Sequence, residues 1–504
     1  MPTTTRATHQ QAVQAGIAQR VVPHRTMVRE VAIPRTPRRL ATNFVAMSAA
    51  EVLCRAISVA VTLNLAARLG TAGYGQIEFA FNLVLWLVLL VREGFDVIAA
   101  REIARHPNLV RRVVAHVLAI RLLVASILLT GLVVGTLVFL PAPTDRAVLC
   151  TYGLILLTTA LGLDFVYRGL ERMNLVALSM LIRTVVYAAT VWFVVRNPDQ
   201  VIWVPILLIS GEVCGIALVW AVFAQRYGLP RPRLRTGQAL RVFLHRGRTI
   251  YAIQVSQALI MSVDVLIVGF MSGWTEVGLY SASHRMVVTI LTFGLIFQQV
   301  AFPSLARSWR NSPEAGRRSL NGLVRVLVLG LLPIAVGTSL LAKPIVALLF
   351  APEFAETAPL LAIEIWRVPF LSLALLYQTA LIALNREALG VRLLITGAIS
   401  AIPLIAGLRW GFGLPGAAAG TVLVSALLAG LGYARLSYEG RQPAWHHQLG
   451  KPLLAVAALI PVSLFLAQWH VGLGVLGGAI AYLATLVATG GLKASDLRML
   501  MQRG

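Results

Sequence analysis

The hydrophobic positions of this chain form long apolar runs that are separated by short polar segments. Fourteen of the runs have the length of about 20 residues that a membrane-crossing helix needs. The pattern therefore predicts an all-α polytopic membrane protein with about 14 transmembrane helices. The runs begin near Ala41, Gly75, Leu109, Ala147, Met173, Val201, Thr249, Glu276, Leu320, Thr357, Ala388, Leu414, Lys451 and Gly472.

The first run carries a stripe of polar residues on one side. Glu51, Arg55, Ser58 and Thr62 are spaced by four, three and four residues, so they share one face of a helix. An ionised side chain at bilayer depth costs about 2.5–3.5 kcal/mol on insertion scales, so this face is expected to meet a partner helix or water. Two interpretations stay open: a Glu51–Arg55 ion pair that joins helices, and one wall of a translocation cavity.

Composition agrees with a chain whose solvent is the bilayer. Hydrophobic residues make up 58% of the sequence, charged residues 13%, and the mean hydropathy is +0.79. Cys54, Cys150 and Cys214 all lie in apolar runs, which indicates neither a disulfide framework nor a metal site. We therefore expect no metal, no cofactor and no catalytic residues.

The distribution of Lys and Arg predicts the orientation. Residues 1–40 contain seven arginines and a single acid, with no apolar stretch before a cleavage site, so they are predicted to be a disordered basic cytoplasmic tail and not a signal peptide. Placing this tail in the cytoplasm puts 33 basic residues on that side and five on the other. The division follows the positive-inside rule and places both termini in the cytoplasm. The net charge of +24 is thus mainly a topology signal, and nucleic acid is not an expected partner.

The chain also repeats itself. A segment ARLGTAGYGQIEFAFNLV from Ala67 is similar to GFMSGWTEVGLYSASHRMV from Gly269, which aligns Gly75 with Gly278 at a distance of 203 residues. Because the first and seventh spans run in the same direction, the repeat predicts two parallel six-helix lobes with a binding site between them. The predicted divisions are a tail (1–40), an N-terminal lobe (41–228), a basic cytoplasmic linker (229–248), a C-terminal lobe (249–440) and two further helices with the C-terminus (441–504).

Charged residues inside the spans are the candidate binding groups. Arg55, Arg92 and Arg367 each have an acid three or four residues away, whereas Arg121, Arg183 and Arg285 have none at that spacing. The latter three require a partner on another helix, water or an anionic ligand. Interhelical bonding and a hydrated cavity both remain open as their role. The predicted substrate-binding residues are Arg55, Arg285, Arg92, Arg183, Arg367, Glu51, Glu78, Asp264 and Glu364.

Several segments resemble the polysaccharide and oligosaccharide flippases, O-antigen flippases among them, of the multidrug/oligosaccharidyl-lipid/polysaccharide exporter superfamily. They spread over roughly residues 41–440 and each is degenerate alone. The segments are RLGTAGYG, REGFDVIAAREIAR (92–105), DFVYRGLERMNLVA (164–177), GLYSASHRM (278–286), LLFAPEFAETAPLLAI (348–363) and GLPGAAAGTVL (413–423).

This resemblance implies a V-shaped pair of lobes, a central cavity and alternating access in the bacterial inner membrane. The implied substrate is an undecaprenyl-diphosphate-linked oligosaccharide, such as an O-antigen or exopolysaccharide repeat unit, whose diphosphate a basic lumen would suit. The implied partners, besides this glycan and the bilayer, are a glycan polymerase or glycosyltransferases. Arg55 matches the first of several arginines in the lipid II flippases, but Val61 and Thr62 stand where that group has an Arg-Asp pair.

Two other functions remain open from the residues. A cation-coupled multidrug exporter of the same superfamily would use acids such as Glu51, Glu78, Asp264 and Glu364. A membrane glycosyltransferase or polymerase is the third alternative. The sequence has no sizeable outer loop and no HExxH, CxxC or P-loop pattern, so a transporter is favoured over an enzyme.

Overall fold

The computed structural model describes residues 37–92, 95–230, 236–444 and 446–491, and within these ranges it contains helices and no strand. From Asn43 onward the described residues pack as one unit. The α-helices are α1 (Pro37–Arg92), α2 (Phe95–Arg105), α3 (Val110–Phe139), α4 (Pro143–Gly153), α5 (Ile155–Ala160), α6 (Asp164–Gly169), α7 (Met173–Val194), α8 (Trp203–Tyr227), α9 (Thr236–Met271), α10 (Trp274–Asn311), α11 (Pro313–Leu340), α12 (Ala342–Leu349), α13 (Thr357–Glu364), α14 (Arg367–Ala383), α15 (Glu387–Tyr438), α16 (His446–Ala467) and α17 (Val471–Ala488).

Two of these helices are each a pair of spans joined at a glycine. Gly70 in α1 and Gly413 in α15 have φ values of 69° and 68°, a conformation that glycine adopts without the strain that a Cβ atom causes. Among the described residues, eleven segments are long and apolar enough to cross a membrane, with α15 counted once and α1 not included. The predicted number of fourteen follows if each part of α1 and of α15 is one span, so fourteen is an approximate count. The predicted all-helical polytopic fold class is thus confirmed.

The fourth and tenth spans are interrupted. The fourth consists of α4, α5 and α6, and the tenth consists of α13 and α14. Between α5 and α6, side chains of neighbouring helices donate hydrogen bonds to backbone carbonyls. Trp220 donates to the Leu161 carbonyl at 2.9 Å, and Arg121 donates to the Gly162 carbonyl at 3.2 Å. Freed backbone groups inside a membrane require such partners. Interrupted spans at matching places in two repeats also mark the region of binding sites in transporters.

Helices extend into two basic segments outside the apolar runs. The predicted linker, 229–248, is helical from Thr236, where α9 begins. α10 ends at Asn311 and α11 begins at Pro313, so Ser312 alone separates them. The reason is that arginine favours helix, so a helix can continue past its apolar run into water. Residues 1–36, which include most of the predicted tail, lie outside the described residues.

The last two helices pack on each other and on the preceding bundle. Buried residues of α16 and α17, among them Leu459 and Tyr482, form a small apolar cluster with side chains of α11. The Tyr482 hydroxyl donates to the carbonyl of Leu329 at 2.9 Å. The helices added after the repeat therefore contact α11. Where the two lobes begin and end stays a prediction.

A topology measurement tests the predicted orientation. Reporter fusions at Gly70, Ala142, Gly273 and Gly411 are expected to report from the outer side, because each position lies at a predicted outer turn. Fusions at Arg317 and at the C-terminus, expected to lie in the cytoplasm, are the control. Cytoplasmic signals at two or more of the four outer positions would contradict the fourteen-span count and the parallel repeat together.

Candidate functional site

The two copies of the sequence repeat meet in space at a pair of glycines. A Cβ atom added to Gly75 in α1 would overlap the carbonyl oxygen of Trp274 and lie 2.6 Å from the amide nitrogen of Gly278 in α10. A Cβ atom added to Gly278 would overlap the carbonyl oxygen of Thr71. Thr71 and Trp274 are separated by the same 203 residues as the two glycines. The contact is therefore reciprocal, and only glycine permits this approach of the two backbones.

A cavity of about 160 Å³ lies beside this crossing, and we call it the first cavity. Arg285 of α10 is the only residue from beyond 249 among its described lining residues. Its Nε donates to the Thr62 hydroxyl at 3.3 Å, and its Nη2 lies 3.7 Å from Glu78 Oε1. The guanidinium also lies 5.8 Å from the centre of the Phe81 ring. The other polar and aromatic residues that line the first cavity are Ser58, Tyr152, Arg183, Thr184, Tyr187 and Glu212.

A second cavity, of about 230 Å³, adjoins the first. Phe81, Arg183, Leu208 and Glu212 line both cavities, so they form the boundary between them. Arg183 Nη2 donates to the two carboxylate oxygens of Asp164 at 2.9 and 3.0 Å. Its Nη1 donates to Glu212 Oε2 at 3.3 Å. One arginine thus holds a carboxylate from α6 and one from α8 at this boundary.

Further ion pairs line the second cavity. Arg92 Nε donates to Asp96 Oδ2 at 2.9 Å, and its Nη2 lies 3.6 Å from Asp164. Arg121, almost fully buried, donates to the other oxygen of Asp96. Its guanidinium carbon lies 5.1 Å from the centre of the Phe165 ring. Charged groups of α1, α2, α3, α6, α7 and α8 therefore form one connected network, in which every described arginine has a carboxylate partner.

This arrangement corrects the expectation of a basic lumen. Among its described lining residues, the first cavity has two arginines and two glutamates. The second has three arginines, Arg92, Arg121 and Arg183, against three acids. The spacing of residues in the sequence identifies only the acids that share a helix with an arginine, and most carboxylate partners of these arginines lie on other helices. Both cavities are polar and close to electrically neutral.

A separate buried cluster joins α9, α10, α13 and α14. Arg367 Nη1 lies 3.0 Å from Asp264 Oδ2 and 3.6 Å from Glu364 Oε1. His284 Nδ1 lies 3.0 Å from the same oxygen of Asp264 and 3.2 Å from Glu364. Tyr280 donates to Asp264 at 2.9 Å. The atoms of Asp264, His284 and Glu364 are close enough to hold a cation. The Arg367 guanidinium already compensates the negative charge of Asp264 and Glu364.

The predicted site residues thus fall into three groups. Glu78, Arg285, Arg183 and Arg92 line the two cavities, while Asp264, Glu364 and Arg367 form the buried cluster. Glu51 and Arg55 form the expected pair at 3.2 Å, with the Arg55 side chain 49% exposed, and line neither cavity. Contact of any of these residues with substrate stays a prediction. Asp164, Glu212 and His284 were not predicted, although Glu212 is the only acid in its apolar run and that signal could have found it.

A family model described as polysaccharide biosynthesis protein matches residues 40–309, more than half of the chain. The chain belongs to this family. No curated protein matches this sequence. The helical arrangement described above therefore occurs in a family that is described by polysaccharide biosynthesis.

Several solved structures share the fold of this chain. The lipid II flippase MurJ in an inward closed conformation has a TM-score of 0.68 at 14% identity, with 91% of this chain and all of MurJ covered. An inward-facing MATE multidrug resistance transporter of the MOP superfamily has a TM-score of 0.60 at 13% identity, covering 78% of this chain and 96% of that one. A MATE transporter from Vibrio cholerae has a TM-score of 0.54 at 17% identity, covering 80% and 97%. At such identities the likeness shows the fold alone.

Proposed function

We propose that this protein is a flippase that moves an undecaprenyl-diphosphate-linked oligosaccharide, such as an O-antigen or exopolysaccharide repeat unit, between membrane leaflets. The direction is from the inner to the outer leaflet of the bacterial inner membrane, by alternating access. The supporting observation is a polar cavity beside the crossing of the two repeats, with Arg285 of one repeat reaching Thr62 and Glu78 of the other. A charged and hydroxylated headgroup needs such a path, because apolar surroundings leave its polar groups unpaired.

Arg285 is the residue we assign to the diphosphate. Its contact with Glu78 is long at 3.7 Å, and its side chain is 36% exposed, so the guanidinium can exchange this partner. Glu78 keeps two other bonds, from the Tyr74 hydroxyl at 3.1 Å and the Asn82 amide at 3.4 Å. A guanidinium can hold two oxygens of one phosphate group at once. Losing Arg285 to the substrate therefore leaves Glu78 still hydrogen-bonded.

Arg55 is the second headgroup candidate. It shares a helix face with Ser58 and Thr62, both of which line the first cavity, and lies nearer the N-terminal end of α1. With cytoplasmic termini, that end faces the side from which the substrate enters. Glu51 lies 3.2 Å from Arg55, whose side chain is 49% exposed, so the guanidinium can exchange this carboxylate for a phosphate. We propose no enzymatic step, and glycosyltransferases or a glycan polymerase as partners.

A cation-coupled multidrug exporter is the second candidate function. The carboxylates of Glu78 and Glu212 in the first cavity could hold an organic cation. Both carboxylates already have an arginine partner, so a cationic drug would have to displace a guanidinium. This arrangement favours the flippase.

Deletion and complementation test the proposed function. Cells that lack the protein should accumulate a polyprenyl-diphosphate-linked sugar in the inner leaflet and lose a surface polysaccharide, with drug resistance unchanged. Arg285→Ala should restore little surface glycan, because a charge-assisted hydrogen bond contributes about 1.5–3 kcal/mol, or about tenfold to a hundredfold in headgroup affinity. Arg285→Lys should restore an intermediate amount, since lysine offers a point charge and no fork.

The control is Arg386→Ala, which removes an exposed arginine that pairs with Glu439 at 3.4 Å and lies outside both cavities. This variant should restore the surface glycan fully. Normal surface glycan in cells with Arg285→Ala at wild-type protein levels would refute the headgroup role. Unchanged surface glycan together with lost drug export in the deletion strain would favour the exporter.

A further inference from the structure

The second cavity combines three kinds of lining that a sugar ring can use. Carboxylates and guanidinium groups stand side by side, with Arg92 bonded to Asp96 and Arg183 bonded to Asp164. Thr158 and Thr159 also line the cavity. Apolar side chains, Phe81 included, cover the remaining wall. A sugar hydroxyl is both donor and acceptor, so adjacent acceptors and donors suit it, and the apolar wall suits the C–H faces of a ring.

We propose that the second cavity, between α1, α2, α3, α5, α6, α7 and α8, is a binding site for the glycan part of the substrate, and that it selects uncharged sugars. The proposal rests on the proposed flippase function and adds the class of sugar. It also moves the glycan away from the midline between the repeats, because every described residue that lines this cavity lies between 81 and 216.

Charge balance is the reason for the selectivity. Three arginines and three carboxylates line the cavity among the described residues, and each arginine is bonded to at least one of the carboxylates. A uronic acid would bring a fourth negative charge into a space of low dielectric, where like charges repel strongly. The arginines of this cavity are already bonded to carboxylates, at 2.9 Å for Arg92 and Arg183, whereas Arg285 in the first cavity lies 3.7 Å from its carboxylate and can exchange it for a phosphate. An uncharged sugar adds no charge and can bond to both members of an ion pair. The cavity, at about 230 Å³, lies below the range of about 300–1,000 Å³ of ordinary ligand pockets, so it fits a single ring better than an oligosaccharide.

The boundary with the first cavity links this site to the headgroup. Arg183 and Glu212 face both cavities, and Arg285 lies in the first. The sugar next to the diphosphate can therefore lie in the second cavity while the phosphates contact Arg285. The Arg183–Glu212 pair, at 3.3 Å and with side chains 19% and 25% exposed, is the part of the network open to a ligand. The Asp96–Arg121 pair is almost fully buried and holds the wall in place.

The test uses two probes that differ only at C6 of the sugar, where one has an uncharged hydroxymethyl group and the other a carboxylate. Polyprenyl diphosphate carrying glucose and polyprenyl diphosphate carrying glucuronic acid are compared in two assays: binding to the purified protein in detergent, and translocation in proteoliposomes. The wild-type protein should prefer the glucose probe by about tenfold or more, because the anionic sugar meets carboxylates at short range. Glu212→Gln removes one negative charge, and Arg183 keeps Asp164 at 2.9 Å, so the helices should stay in place.

Glu212→Gln should lower the ratio of the affinities for the glucose and glucuronic acid probes to about one or below, since the cavity then carries a net positive charge. The control is Glu276→Gln, the same substitution in an ion pair with Arg409 at 2.5 Å that lies outside both cavities, and it should leave the preference unchanged. Equal binding of the two probes to the wild-type protein, or an equal effect of both substitutions, overturns the proposal. Selective binding without translocation of either probe would support the glycan site while contradicting the flippase function.

Discussion

Replacing Arg367 with methionine should prevent stable folding of this protein or lower its stability severely. The guanidinium is 1% exposed and lies between Asp264 and Glu364, at 3.0 and 3.6 Å. It also donates to the carbonyl of Ile260. Without it, two buried carboxylates face His284 with one positive charge fewer. Removing one partner of a buried ion pair typically costs about 3–5 kcal/mol, because the remaining charge stays uncompensated.

Thermal unfolding of the detergent-purified protein and its level in membranes measure this effect. Arg386→Met is the matched control, because the Arg386 side chain is 57% exposed and pairs with Glu439 at 3.4 Å, and exposed pairs contribute about 0–1 kcal/mol. Adding Asp264→Asn to Arg367→Met should recover part of the loss, since the uncompensated charge is then halved. If Arg367→Met unfolds at the same temperature as Arg386→Met, the cluster does not stabilise the fold.

The sequence predicts the approximate positions of the membrane spans, because the thickness of the bilayer fixes the length of a span. Two of the fourteen spans were expected to begin near Gly75 and Leu414, and the chain indeed turns just before them, at Gly70 and Gly413. Apolar periodicity does not reveal the interruptions in the fourth and tenth spans. Their breaks depend on side chains of other helices that bond the freed carbonyls, such as Trp220, and no local pattern encodes those contacts.

The site is predictable only in part for a related reason. The pairs Glu51–Arg55 and Arg92–Asp96 are four residues apart, so helix geometry alone predicts them, and both are confirmed. Arg285 and Glu78 are separated by 207 residues and meet only after the two repeats have packed. A count of arginines therefore indicated a basic lumen, whereas the fold places a carboxylate beside each one. Neutrality is a property of the packed helices and not of any single span.

Substituting alanine for Gly75 should abolish transport. The new Cβ atom would overlap the carbonyl oxygen of Trp274 and lie 2.6 Å from the Gly278 nitrogen, and both are backbone atoms that cannot rotate away. The helices α1 and α10 must then separate, and the contacts of Arg285 with Thr62 and Glu78 are made across the same pair of helices. Overpacking of this kind typically costs about 1–3 kcal/mol. The altered crossing should cost activity beyond that loss of stability.

The reciprocal geometry allows a sharper form of this prediction. Gly278→Ala should match Gly75→Ala in effect, because its Cβ atom would overlap the carbonyl oxygen of Thr71 at the same crossing. The double variant should be little worse than either single one, since one separation of the helices relieves both overlaps and effects at a shared contact are not additive. Gly337→Ala, where no atom lies within 4 Å of the added Cβ, is the control and should retain full translocation in proteoliposomes. Full translocation by Gly75→Ala would show that the backbones of the two repeats do not meet at this point during the transport cycle.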